Sequence, residues 1–188
     1  MTSTPALSWT PALEHLDLVA PPVREALVAW SWIEPRVATQ VLVAPIDPDL
    51  ADTQALTDAY GLDLDVSANC VLVGGRRAGE ERSAAAVVRA TTRADVNTTI
   101  KRLLDVRKAS FLPTDRAVDE SGMEFGGITP LGLPEHFRIL LDERVTTRDA
   151  LVGSGLRSSK LLLPGDLLAA WPRAEIVSGL AVPTGLAV

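Results

Sequence analysis

The sequence is poor in the residues that build metal sites and cross-links. It has one cysteine, Cys70, and two histidines, His15 and His136, in 188 residues. A single cysteine excludes an internal disulfide, and this set does not make a structural zinc site. No metal and no other cofactor is expected. There is no overall excess of basic residues: the net charge is −6 and the isoelectric point is about 4.9. That balance disfavours nonspecific binding to DNA or to any other polyanion. No run approaches the ~18 apolar residues that a membrane span needs. The first residues lack a basic start followed by an apolar stretch, so no secretory signal is expected and a cytoplasmic location is. No serine stands in a Gly-x-Ser-x-Gly elbow, and no glycine loop carries the lysine of a phosphate-binding P-loop.

What is present is a well-stocked core. Hydrophobic residues make up 47 % of the chain, with a mean hydropathy of +0.19. The chain is therefore expected to fold as one domain over 1–188, with a lead-in and helix over 1–38 and a core over 39–180. Charge is unevenly spread. Residues 1–75 carry ten acids and two bases, residues 76–116 ten bases and five acids, and residues 117–188 nine acids and six bases. A basic middle within an acidic chain suits a phosphate-facing patch, with Arg76, Arg77 and Lys101 as its candidates. Ordinary solvated faces would give the same composition.

Local patterns give the elements. Pro21-Pro22 opens a helix to about Trp30, and Trp30 and Trp32 are expected to pack on the body. Residues 39–45 read as a strand, and 47–60 as a helix stopped by Gly61. Two valine-rich runs at 71–73 and 84–88, with a polar glycine-containing stretch between them, read as a hairpin. Thr92-x-x-Asp95 has the spacing of a capping box before a helix through Ile100 and Leu104. Strands are expected at 107–111, 137–141, 150–152, 160–163 and 174–177. Helices are expected at 114–121 and from Pro164 to about Trp171. Residues at either end read as an irregular start and a frayed tail. This irregular alternation indicates a mixed α/β or α+β domain.

One stretch has the composition of a ligand loop. Residues 122–134 contain four glycines and two prolines. Glycine lets a ligand approach the backbone, proline stiffens the turn, and such a loop is suited to aiming N–H groups at an oxyanion or carboxylate. Nearby groups are weaker candidates. Cys70 falls in a strand and reads as a small core residue. His136 reads as solvent-facing, and Asp142 either orients a pocket group or caps the next turn.

Gly126-Gly127-Ile128-Thr129-Pro130-Leu131-Gly132 resembles the glycine-glycine-x-x-proline-x-glycine loop of the YbaK family. That family comprises aminoacyl-tRNA deacylases and the editing domain of some prolyl-tRNA synthetases. Ala68–Val73, Leu140-Leu141-Asp142, Gly153-Ser154-Gly155 and Leu163–Leu167 resemble further blocks of the family, in the same order, over roughly residues 40–180. The resemblance implies a curved mixed sheet closing toward a barrel, with helices outside. It implies hydrolysis of a mischarged aminoacyl ester, with aminoacyl-tRNA as partner and a synthetase as a potential second one. Gly126, Gly127, Thr129 and Pro130 would hold the amino acid, and Gly153, Ser154 and Gly155 would form the opposite wall. Water would attack with help from the substrate's own ribose. Asn69 stands where active members carry a lysine, and it offers hydrogen bonds but no charge. The alternative reading is therefore a binding module for an aminoacyl or nucleotide ligand, without turnover.

Overall fold

The structure is a computed structural model that describes residues 7–184. The outer parts of the expected irregular start and frayed tail, 1–6 and 185–188, lie outside the described residues. Strand β1 (Thr10–Pro11) leads to helix α1 (Pro21–Ser31), which opens at its two prolines and buries Val23, Leu27 and Trp30 on one face. Trp32 does not pack on the body as expected. It follows Trp30 by two residues, about 200° around the helix, and is 83 % exposed. Helix α2 (Val37–Gln40) takes up the start of the stretch expected as strand, leaving β2 as Leu42–Pro45. The single helix expected over 47–60 is a 3-10 turn, Pro48–Leu50, followed by α3 (Thr53–Tyr60), which the Asp52 carboxylate caps.

The hairpin is longer and tighter than its composition suggests. Strand β3 (Ala68–Arg77) and strand β4 (Glu80–Arg89) are joined by only Ala78 and Gly79, both at positive φ, which is the twist-matched two-residue turn. Both faces of β4 are covered. Ala85 and Val87 join one hydrophobic cluster, while Ala84, Ala86 and Val88 join another with Val96, Ile100 and Leu104. Burial on both sides is why this strand reads as a continuous apolar run. Strand β5 (Thr92–Ala94) holds Thr92, so the helix that follows is capped by Asp95 itself, whose carboxylate accepts from the N–H groups of Thr98 and Thr99. The remaining elements are α4 (Lys101–Leu104), β6 (Ala109–Phe111), α5 (Thr114–Ser121), β7 (Phe137–Asp142), β8 (Ala150–Gly153), β9 (Ser159–Leu163), α6 (Gly165–Ala169), β10 (Ala174–Val177) and β11 (Ala181–Pro183).

The strands form a mixed α/β architecture of three sheets, in the orders β1-β2-β9-β8, β10-β7-β4-β3-β6 and β11-β5. The expected closure toward a barrel does not occur. The two large sheets share the main hydrophobic core, but their backbones pair at a single parallel bridge, Ser67 to Leu151, with Leu151 N–H donating to Val66 C=O at 2.9 Å. On the N-terminal side the ladder cannot continue, because the Val66 N–H is spent in the preceding turn, on Asp63 C=O. Arg89 pins the same seam. It is 2 % exposed and donates to five carbonyls, those of Val66, Arg144, Val145, Arg148 and Asp149. All five of its N–H groups are thereby used.

Candidate functional site

The seam leaves a cavity of about 480 Å³ between the start of β3, the ends of β8 and β9, the first turn of α3 and the loop after α5. That volume is within the ordinary range for a small-ligand pocket. Asn69, Gly126 and Gly153, all singled out from the sequence, line it. Asn69 sits on β3, and its Oδ1 accepts from the Thr53 hydroxyl of α3 at 2.8 Å. Its amide N–H₂ has no acceptor among the described residues, so it is turned to donor duty.

The other expected residues build the wall behind the cavity instead of its surface. A Cβ on Gly153 would sit 2.1 Å from the Gly127 carbonyl oxygen, and one on Gly127 would sit 2.5 Å from that of Leu156. These glycines thus let backbones stack on one another. The Gly127 N–H does not face a ligand, because it donates to Glu124 C=O at 2.9 Å. The neighbouring N–H groups of Gly126 and Ile128, both cavity-lining residues, have no acceptor among the described residues. Thr129 and Pro130 are buried. Ser154 spends its hydroxyl on Ser159, 2.7 Å away, and on the Leu156 carbonyl. Gly155 lies under Ala20 and Val23 at the start of α1.

Five polar residues of the cavity, Asp52, Thr53, Ser67, Arg157 and Lys160, were not singled out from the sequence. Lys160, on β9, is 8 % exposed, and its ammonium donates to Ala51 C=O and Gly126 C=O, each at 3.0 Å. Burial, reinforced by the positive charge of Arg157 and opposed by Asp52, lowers its pKa to about 8. Arg157 is itself occupied, donating to Phe125 C=O and Pro48 C=O. Ser67, at the seam, has a buried hydroxyl without a partner, while its N–H and C=O are taken by Leu64 and Ala90. The signal for Lys160 was available: it is the one charged residue in Ser159–Leu163, a strand otherwise apolar after its first residue. Ser67 left no such mark, being one serine among many.

The other reactive groups are unsuited to nucleophilic work. Cys70 lines the cavity, but burial pushes its thiol up to about 12, which keeps it protonated. Asp142 is fully buried, accepting from Ala181 N–H and the Arg144 side chain. His136 lies outside the cavity, paired with Glu120 at 3.1 Å. Among the described residues, no group of three or more His, Cys, Asp or Glu is placed to hold a metal. No described helix is long and apolar enough to cross a membrane.

The basic candidates lie away from the cavity. Arg76 and Arg77 end β3, about 23 Å along the strand from Asn69 at 3.3 Å per residue. Arg77 pairs with Asp105, which closes the helix that begins at Lys101. Arg76 is largely exposed, with Glu81 at 3.9 Å.

Solved structures share this fold. A candidate trans-editing enzyme for prolyl-tRNA synthetase is 15 % identical, with a TM-score of 0.66, over 85 % of this chain and 97 % of its own. The hypothetical protein APE2540 is 19 % identical, with a TM-score of 0.66, over 82 % of this chain and 99 % of its own. None of the curated proteins compared matches the sequence. The family model of the aminoacyl-tRNA editing domain matches residues 47–169, which include every cavity-lining residue. The chain belongs to the aminoacyl-tRNA editing domain family.

Proposed function

We propose that the protein is an aminoacyl-tRNA deacylase that hydrolyses the ester of a mischarged tRNA in trans. The observation that carries this reading is the seam cavity. It combines a volume suited to an aminoacyl group and its terminal ribose with free donors on three sides: the Gly126 and Ile128 N–H groups, the Asn69 amide and the Lys160 ammonium. An aminoacyl ester is an activated acyl group. Its hydrolysis asks the protein for positioning of water and for donors to the developing oxyanion, and not for a covalent nucleophile.

The roles follow from placement. Gly126 and Ile128 offer backbone donors, Asn69 steadies the terminal nucleotide or the amino acid, and Gly153 keeps the opposite wall thin. Gly127, Thr129, Pro130, Ser154 and Gly155 hold that wall in shape. Arg76, Arg77 and Lys101, on the remote end of the hairpin and the helix beside it, contact the tRNA backbone beyond the acceptor end. A prolyl-tRNA synthetase, or another synthetase, is the partner the fold relatives suggest. The test is a deacylation screen over a panel of mischarged tRNAs. Acceleration of at least one over the protein-free rate is expected, and tight binding of one with no hydrolysis would favour a binding module. Reversing Arg76, Arg77 and Lys101 together is expected to flatten the salt dependence of tRNA binding, by roughly 0.7–0.9 in log K against log salt for each phosphate no longer neutralised. An unchanged slope would place these side chains off the tRNA.

A further inference from the structure

We infer that Lys160 supplies the positive charge of this site, from β9, in place of a lysine on β3, and that it acts on the carbonyl oxygen of the aminoacyl ester. This inference rests on the deacylase reading.

The placement of the ammonium is costly. It is 8 % exposed, and among the described residues no carboxylate forms an ion pair with it. A buried charge with no carboxylate in direct contact is expensive to keep. An ammonium has three N–H donors, and two of them go to the Ala51 and Gly126 carbonyls, which leaves one for the cavity. The bond to Gly126 C=O also brings the charge to the loop residue whose own N–H is free. Lys160 and Asn69 come from different sheets and both line the cavity. A charge lost from one wall is thus supplied by another.

Two cations line the cavity, and burial separates them. Arg157 keeps N–H groups beyond the two carbonyls it holds, but its guanidinium is in contact with solvent, which screens its charge, whereas the Lys160 ammonium is buried; Cys70 is a neutral thiol. Asp52 faces the ammonium from the start of α3 and favours its charged form, while Arg157 disfavours it. Glu124 is engaged with the Arg157 backbone N–H.

The chemistry balances without a covalent enzyme intermediate. Water adds to the ester carbonyl carbon, and the C=O electron pair moves onto the carbonyl oxygen. Lys160, keeping its proton, stabilises that oxyanion. The oxyanion collapses, the bond from carbon to the ribose oxygen breaks, and the proton released by the attacking water ends on that oxygen. The products are the free amino acid and tRNA with its terminal hydroxyl restored.

A purely structural role, tying residue 51 to residue 126, is the competing explanation. Single-turnover deacylation separates the two, using the panel substrate that the natural protein hydrolyses fastest. Lys160→Met is expected to lower the rate by about 10²–10³, the usual cost of removing an oxyanion donor. Adding Asn69→Lys to Lys160→Met is expected to recover about tenfold or more, because it returns the charge without the tether. The pH profile supplies a readout that needs no loss of function. In the natural protein the Lys160-dependent part of the rate stays level below pH about 8 and falls above it, as the ammonium loses its proton. In Lys160→Arg that bend is absent. Rates of Lys160→Met within twofold of the natural protein would overturn the inference. So would a loss that Asn69→Lys does not restore, together with profiles that Lys160→Arg does not change. Failure of Lys160→Met to fold would leave the decision to the profiles. Absence of hydrolysis by the natural protein on every substrate would refute the deacylase reading, and this inference with it.

Discussion

Lys160→Met should change not only the level of stability but its dependence on pH. The folded protein holds the Lys160 ammonium with a pKa of about 8, against an ordinary value of 10.5. Its folded pKa is thus depressed. Below pH 8 both folded and unfolded chains carry the proton, and the folded state bears the full cost of burying it. Between pH 8 and 10.5 the unfolded chain binds more protons than the folded one, so this group makes stability rise with pH. At about 1.4 kcal/mol per pH step the full effect is about 3 kcal/mol, of which roughly 2 to 3 is realised by pH 10. Methionine has no such proton and shows no such rise. Urea unfolding of both proteins at pH 7 and pH 10 checks this, because other titrating groups cancel in the difference. The difference should move in favour of the natural protein by roughly 2 to 3 kcal/mol. A difference that stays constant across this range would mean that the ammonium is solvated and the geometry of the site is misjudged.

Other substitutions test the walls of the cavity. Gly153→Ala places a methyl group 2.1 Å from the Gly127 carbonyl oxygen; a loss of about 3 kcal/mol or more in denaturant unfolding is expected, at the upper end of overpacking costs. Arg89→Met removes the donor to five carbonyls at the seam, of which those of Val66 and Arg144 keep the Leu151 N–H and the Thr147 hydroxyl; with about 1 kcal/mol or more for each of the other three, a loss of about 3 kcal/mol or more is expected in denaturant unfolding. Ser67→Ala removes a hydroxyl that has no partner among the described residues; stability in denaturant unfolding should hold or rise by up to about 1 kcal/mol, and a loss would mean that the hydroxyl is satisfied.

Much of the fold is legible in the chain because its punctuation is strong. Pro21-Pro22, Gly61 and Gly122 mark helix ends that the structure keeps, and the valine-rich runs become the central strands. The hairpin length was not legible, because Ala78 at positive φ carries no compositional signal. Sheet closure was not either, since it turns on whether the ladder runs past the Ser67–Leu151 bridge, and the Val66 N–H there is taken by a turn. The glycine loop announced itself, yet its two glycines divide the work: Gly127 serves close backbone packing, while Gly126 faces the cavity. Composition reports that a tight approach exists, and not whether ligand or chain makes it. Lys160 did leave a signal, a single charge in an apolar strand, but that signal points to a buried ammonium only once both faces of the strand are known to be covered.

The account stands on the claim that this site turns over with asparagine at position 69. Single-turnover deacylation of one mischarged tRNA by the natural protein, Asn69→Ala and Asn69→Lys measures it directly. The account predicts hydrolysis by the natural protein, about a tenfold loss in Asn69→Ala from the missing amide donor, and no more than a few-fold gain in Asn69→Lys because Lys160 already holds the charge. An inactive natural protein that Asn69→Lys switches on would contradict it.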